Sequence, residues 1–368
     1  MTTESTTMTE PRTPAYLTDK FLAFSRTDTH GSTPLYALLA ERAAEDPELK
    51  AIAAEALVGQ HEPLMLFAAV HYLLLTGVEH PLAEYYASCT PAPRHPDEAA
   101  FVRFREFCRL FRPELIEIVA SRRAQTNEVN RSTCLMPAFA FIADRIDGRP
   151  IELTELGTSA GLNLNWDLYG YDYGRGLRVA PLRDPSPDLR LTLETELRGP
   201  GVPPLPGVHP GQNGIRIADR RGIDLHPIDL SVSANVIWLQ ALVWPEHLER
   251  MSRLEKAVRI ARRFPPPIRT GNAEFALSDL IERSPNGRVP IIFHSFVLYQ
   301  VDKDRRERLA RKIRELSAGR TIYRVSLEWF GTETPLLEID QFEDGAHEHL
   351  VLAATDPHGR WLKWLASG

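Results

Sequence analysis

The stretch Ile151-Glu-Leu-Thr-Glu-Leu-Gly-Thr-Ser-Ala-Gly-Leu-Asn-Leu-Asn165 constrains the fold most: an apolar strand pattern runs into a small-residue turn and then a predicted helix starting near Gly161. Nucleotide sites commonly begin in this way. Glu155, Gly157, Ser159 and Gly161 occupy alternate positions. Gly157 and Gly161 carry no side chain where the backbone must turn tightly and approach a ligand, and the next helix offers free N–H groups at its start. An ordinary strand-to-helix turn uses the same residue types, so both readings stand.

After Gly148-Arg-Pro150 short apolar strands alternate with amphipathic helices, which predicts an α/β fold with a mostly parallel sheet. The strand candidates are 151–156, 223–225, 268–270, 289–294 and 321–327, followed by a hairpin of 349–354 and 361–364. Helices are expected near Gly161, Ala234, Ala276 and Arg305. The Pro- and Gly-rich region 170–219 reads as an insertion with short strands of its own, around 189–197 and 215–218. Before residue 148 the pattern is helical. Leu35, Leu38, Leu39 and Ala43, then 64–75, then Phe101, Phe104, Phe107, Cys108 and Phe111 recur at three- and four-residue steps, broken at Thr90-Pro-Ala-Pro93 and Arg112-Pro113. The expected organisation is a disordered leader over 1–14, a helical N-terminal domain over 15–147 and the α/β domain over 148–368.

The chain has 368 residues, room for two domains of ordinary size. With a formal net charge of -6 and only scattered pairs such as Arg122-Arg123 and Arg220-Arg221, no nucleic-acid partner is expected. Cys89, Cys108 and Cys134 are odd in number and lack metal-ligand spacing, so they read as reduced thiols, with neither zinc nor a disulfide. The apolar run 64–78 is interrupted by His71 and falls short of the about 20 residues that a bilayer span needs. The Thr- and Ser-rich start carries no export pattern, so a cytoplasmic protein without a membrane partner is expected.

Four further stretches carry chemistry. Asp224, in Gly222-Ile-Asp-Leu-His-Pro-Ile-Asp229, is placed to accept bonds from a ribose diol if the insertion loops out. Alternatively, Asp224 and Asp229 cap the helix after Ser231. Asn272, in Arg269-Thr-Gly-Asn-Ala273, can present a carbonyl and an amide to an adenine ring, or simply sit in a polar turn. His294, at the end of Val289-Pro-Ile-Ile-Phe-His-Ser295, is a candidate general base or a satisfied core histidine. Ser295 lacks the elbow of a hydrolase nucleophile. In Gln125-Thr-Asn-Glu-Val-Asn-Arg131, Glu128 and Arg131 can share a helical face, as an exposed salt bridge at a helix start or as a segment closing over a ligand pocket. Glu328 emerges from the apolar run 323–327 toward a crevice or into a structural salt bridge.

Taken in order, Thr126-Asn-Glu-Val129, Glu155-Leu-Gly-Thr-Ser-Ala-Gly-Leu-Asn163, Gly222-Ile-Asp224, Val243-Trp-Pro245 and Phe293-His-Ser295 resemble a bacterial family catalogued as domain of unknown function 2332. That family is similar in expected fold to Rossmann-like S-adenosylmethionine-dependent methyltransferases. Two residues depart from their pattern: Ser159 stands for the middle glycine of the loop, and Asn272 for the usual Asp. The resemblance implies an S-adenosylmethionine site made by Glu155, Gly157, Thr158, Ser159, Gly161, Asn163, Asp224 and Asn272. Membership by itself names no reaction; the leading reading of the residues is methyl transfer to a small molecule, with His294, Glu128 and Arg131 as candidates for the chemistry and the helical part shaping the acceptor pocket. The alternatives are a metabolite-binding regulator on the same fold, or a biosynthetic enzyme of different chemistry.

Overall fold

Proline in the first turn, where its missing N–H costs no hydrogen bond, opens five of the helices that precede residue 126. These are α1 (Pro14–Ala23), α2 (Pro34–Ala43), α3 (Pro47–Ala53), α4 (Glu62–Leu75) and α6 (Arg112–Ser121), while Asp97 caps α5 (Glu98–Leu110). The computed structural model describes residues 12–29, 32–125, 127–207 and 214–366. Most of the expected leader therefore lies outside the described residues. Its last residues are tied to helices, with the Thr13 hydroxyl capping α1 and Arg12 Nε 3.0 Å from Glu62 Oε1.

The chain divides into two compact units, Met1–Thr126 with Val232–Ser252, and Asn127–Ser231 with Arg253–Gly368. The seventh helix, α7 (Ser132–Arg145), thus falls in the second unit, whereas α8 (Ser233–Ala241) returns to the first. In the first unit Phe24, Tyr36, Phe67 and Phe104 form an aromatic core, with Tyr36 and Phe67 stacked at 4.8 Å, and Trp238 and Ala241 of α8 join it. His71 is the polar interruption of the apolar run. Its Nδ1 donates to the Ala241 carbonyl at 3.1 Å, so its Nε2 accepts the Ser88 hydroxyl at 2.7 Å. Burial pushes the imidazole down to about 4, and it remains neutral. Among the described residues no helix is long and apolar enough to cross a membrane.

The second unit is built on strands β1 (Ile151–Leu156), β2 (Gly170–Asp172), β3 (Arg178–Val179), β4 (Thr192–Glu194), β5 (Glu196–Leu197), β6 (Ile217–Asp224), β7 (Ile268–Thr270), β8 (Val289–Ser295), β9 (Ile322–Glu328), β10 (Leu336–Glu343), β11 (Ala346–Thr355) and β12 (Trp361–Trp364). Nine of the described strands form one mostly parallel sheet in the order β5-β12-β11-β10-β9-β8-β1-β6-β7, and β3-β2-β4 form a small second sheet. The parallel run β7-β6-β1-β8-β9 reads third, second, first, fourth, fifth along the chain. Its order therefore reverses between β1 and β8, the place at which open sheets of this kind generally leave a crevice between the loops of their strands.

Strand residues alternate faces, which sorts the layers. On one face Phe293 meets Phe139 of α7 at 5.3 Å. On the other, Leu156, Ile223, Ile292, Ile322 and Phe342 pack with Leu277 and Ile281 of α10 (Ala273–Glu282) and with Leu309 and Ile313 of α11 (Lys303–Leu316); α9 (Leu248–Arg263) precedes β7.

Several expectations change. No α-helix follows Gly161: Leu162–Leu168 is a 3₁₀ turn. Tyr169, Arg220 and Tyr171 donate to the carbonyls of Leu162, Leu164 and Trp166, which an α-helix would use for its own bonds. The strands expected at 215–218 and 223–225 are one continuous β6, and β5 of the insertion pairs in parallel with β12. The sheet also contains β10, between β9 and β11, which the apolar pattern does not reveal.

Candidate functional site

β1 is buried at every position and delivers Glu155 to the crevice, opposite Gly222 of β6 and Phe293 of β8. The loop that follows takes left-handed backbone at Gly157 (φ 64°), Ser159 (φ 54°) and Gly161 (φ 73°). For Ser159 that conformation costs about 1–2 kcal/mol, offset by what the loop binds. Its N–H donates to Asp224 Oδ2 at 2.7 Å, while the His226 N–H donates to Asp224 Oδ1 at 2.7 Å. The Thr158 hydroxyl donates to Glu155 Oε2 at 2.5 Å, and its methyl lies where a side chain at Gly222 would be. Asn127 Nδ2 donates to the Thr158 carbonyl at 2.8 Å, and Asn163 Oδ1 accepts the Ser132 hydroxyl at 2.9 Å.

The structure thus brings Glu155, Thr158, Ser159 and Asp224 together across the ends of β1 and β6. Burial raises the Glu155 carboxyl, the Thr158 hydroxyl draws it back, the charge of Asp224 raises it again and Arg131 opposes; the result is about 8. Glu155 is therefore mostly protonated at neutral pH.

Gly157 and Gly161 admit protein side chains. A Cβ at Gly157 would stand 2.5 Å from Val297 Cγ2, and one at Gly161 2.6 Å from Pro266 Cγ. Sequence reasoning missed Val297, because the seat it fills lies about 140 positions away in the chain. Gly157→Ala combines left-handed strain with overpacking, so thermal unfolding is expected to show a loss of about 2–4 kcal/mol. Adding Val297→Ala removes the clashing methyls and should return part of it. If the double variant is no more stable than Gly157→Ala, the close approach is not what the glycine serves.

The remaining candidates are dispersed. Asn272 Oδ1 caps α10 by accepting the Glu274 N–H at 2.9 Å, and the residue is exposed. Asp229 accepts the Ser231 N–H in a turn and does not cap α8, whose N-cap is Val232. Thr126 lies outside the described residues. Glu128 and Arg131 do not form an exposed pair on a helix: both are buried around the 3₁₀ turn Val129–Arg131, which Glu128 caps. Arg131 Nε donates to the Pro357 carbonyl at 2.9 Å and its guanidinium lies 4.1 Å from the Phe296 ring, while Asn130 Nδ2 reaches the Gly359 carbonyl at 2.9 Å. The segment thereby clasps the turn between β11 and β12.

His294 is buried at the end of β8, with Nδ1 2.7 Å from Glu328 Oε1. Glu328 also accepts the N–H groups of Val297, Leu298 and Tyr299 at 2.9, 3.0 and 3.2 Å. Burial raises this carboxyl, but the bonds from His294 and the backbone outweigh it and hold the group below its usual range. Glu328 therefore orients His294 and pins the loop that carries Val297.

Two apolar side chains that the sequence did not single out stand bare on the strand ends. Leu225, directly after Asp224, is 60% exposed, and Phe275, in the first turn of α10 after β7, is 78% exposed. Phe275 falls outside the helical stripe of Ala276, Leu277 and Ile281, which was the available signal.

No curated protein and no solved structure matches the chain. The motifs that meet at this crevice lie within residues 18–364, over which the chain matches, and so belongs to, the bacterial family described as uncharacterized protein conserved in bacteria (DUF2332).

Proposed function

We propose that the second unit is a Rossmann-like domain that binds an adenosine-containing cofactor, S-adenosylmethionine, across the ends of β1, β6 and β7, for methyl transfer to a small molecule. The observation that carries the reading is the meeting of Asp224 with the Glu155 loop beside the switch in strand order. The groups present fit the nucleoside end. Each oxygen of Asp224 accepts a backbone N–H, and a carboxylate oxygen has the capacity to accept a ribose hydroxyl as well; Leu225 and Phe275 offer apolar surface to a base. Asn272 keeps its amide Nδ2 for a ring nitrogen. When bound, the cofactor would supply an electrophilic methyl group. The chain's own contribution is orientation and a dry, neutral Glu155 at the loop.

A second reading has a specific observation in its favour. Val297 and Pro266 hold the faces of Gly157 and Gly161 where the amino-acid end of the cofactor would approach, which suits a protein that binds a nucleoside without transferring a methyl group. Calorimetry separates the two. S-adenosylmethionine and adenosine should both bind if the nucleoside end dominates, each weakened about 10-fold, or about 1.4 kcal/mol, by Phe275→Ala, an exposed position whose loss spares the fold. Adenosine binding without S-adenosylmethionine binding selects the second reading, and binding of neither defeats both.

A further inference from the structure

Across three neighbouring strands one face of the sheet carries a straight polar row. His294 of β8 is registered with Ser326 of β9, which is registered with Glu338 of β10. Cross-strand partners share a face, so these side chains lie side by side. Toward the other end of the strands the same face is apolar, with Ile292, Ile322 and Phe342 packed under α10 and α11. Between the two lies the row of Ile292, Arg324 and Asp340, so the face turns from apolar to polar toward the strand ends from which the crevice loops depart.

Two features of the row call for a ligand. His294 is 1% exposed and its Nε2 has no hydrogen-bond partner. With the Nδ1 hydrogen given to the ionised Glu328, Nε2 is the ring nitrogen that presents a lone pair. A buried acceptor left in that state costs free energy until a donor arrives. The second feature is charge. Arg324 gives both its Nε and Nη2 bonds to Asp340 Oδ2, and Glu328 is taken by His294 and the backbone. Glu338 has the half-exposed His349 at 3.6 Å, and burial together with Asp340 raises its carboxyl against the pull of His349 and Arg324.

We propose that His294 Nε2, Ser326 Oγ and the Glu338 carboxylate form a binding site for the ammonium group of a small primary amine. An ammonium has three N–H donors and no acceptor, which matches a set made of a ring-nitrogen lone pair, a hydroxyl oxygen and a carboxylate. The binding stands by itself. Only its use rests on the methyl-transfer reading, in which the amine is the acceptor and His294 takes its proton as nitrogen becomes nucleophilic.

The test uses the full chain labelled with ¹⁵N-histidine, without S-adenosylmethionine, so that its outcome is independent of nucleoside binding. Propylammonium chloride should shift the His294 Nε2 resonance saturably, while tetramethylammonium, a cation with no N–H, should not. Glu338→Gln should weaken the propylammonium effect about 10-fold or more, and Ser326→Ala should weaken it by a smaller factor. These two variants leave the His294–Glu328 pair intact. The proposal is overturned if propylammonium moves nothing up to roughly 50 mM, if the two cations act alike, or if crystals grown with propylammonium hold only a water between these groups.

Discussion

Chemical unfolding from about pH 5 to pH 8 is expected to show stability falling as the pH rises, with Glu155→Gln removing most of the fall. The sign follows from Glu155, whose carboxyl stands near 8 in the folded chain and near its ordinary value of about 4.3 in the unfolded one. Below the lower value both states are protonated and the group is neutral with respect to stability. Between the two values only the unfolded chain releases the proton, so each pH unit favours unfolding by about 1.4 kcal/mol. Allowing for relaxation around a buried group, a total of about 3–4 kcal/mol is expected. The amide introduced by Glu155→Gln is isosteric with the carboxyl and can accept the same Thr158 hydroxyl, so at pH 7 the variant should exceed the parent by about 2–3 kcal/mol. Glu328 has the opposite sign but a different window. Its lowered carboxyl contributes stability that is present above the ordinary Glu range and is lost only as the pH falls below it. Parallel pH curves for parent and Glu155→Gln would mean that Glu155 is ionised in the fold.

Glu328→Ala is expected to be the most destabilising single change at the crevice, by about 3–5 kcal/mol. One carboxylate satisfies His294 Nδ1 and three consecutive backbone N–H groups, and Glu328 itself is 2% exposed. Alanine leaves all four donors without that acceptor, in a place that water reaches poorly. The loss should be local before it is global. Hydrogen exchange at Val297, Leu298 and Tyr299 should accelerate first, because their N–H groups bind Glu328 and because Val297 then leaves its seat on Gly157. Glu328→Gln keeps one acceptor oxygen but turns a donor toward donors, so an intermediate loss is expected. Calorimetric melting of the alanine variant within a few degrees of the parent would show that the loop is held by something else.

The legibility of the fold varies strand by strand. β1 occupies the residues that the apolar pattern marks, and β8 and β9 differ from it only at their ends, because strands buried on both faces read as apolar runs bounded by turn residues. The short edge strand β7 also lies at its expected residues, though two of its three residues are exposed. β10 escapes that logic. Its Glu338, Asp340 and Gln341 look like loop residues until β9 and β11 supply partners, with Arg324 on Asp340 and Tyr323 on Gln341. The 3₁₀ turn after Gly161 is a similar case. Its sequence permits a helix, and Tyr169, Tyr171 and Arg220, which take its carbonyls, decide otherwise.

At the candidate site the chain's own pattern was enough to mark Glu155, Gly157, Ser159, Gly161 and Asp224, because a tight turn between a buried strand and a crossover restricts residue type locally. It also marked His294 and Glu328 individually. Only the tertiary structure joined these two into a pair, moved Glu128 and Arg131 from a helix face into a buried clasp, and filled the glycine faces with Val297 and Pro266. The division has one physical cause: backbone conformation and burial periodicity are properties of neighbouring residues, whereas the partner of a buried polar group or of a bare glycine comes from strands and loops far off in the chain.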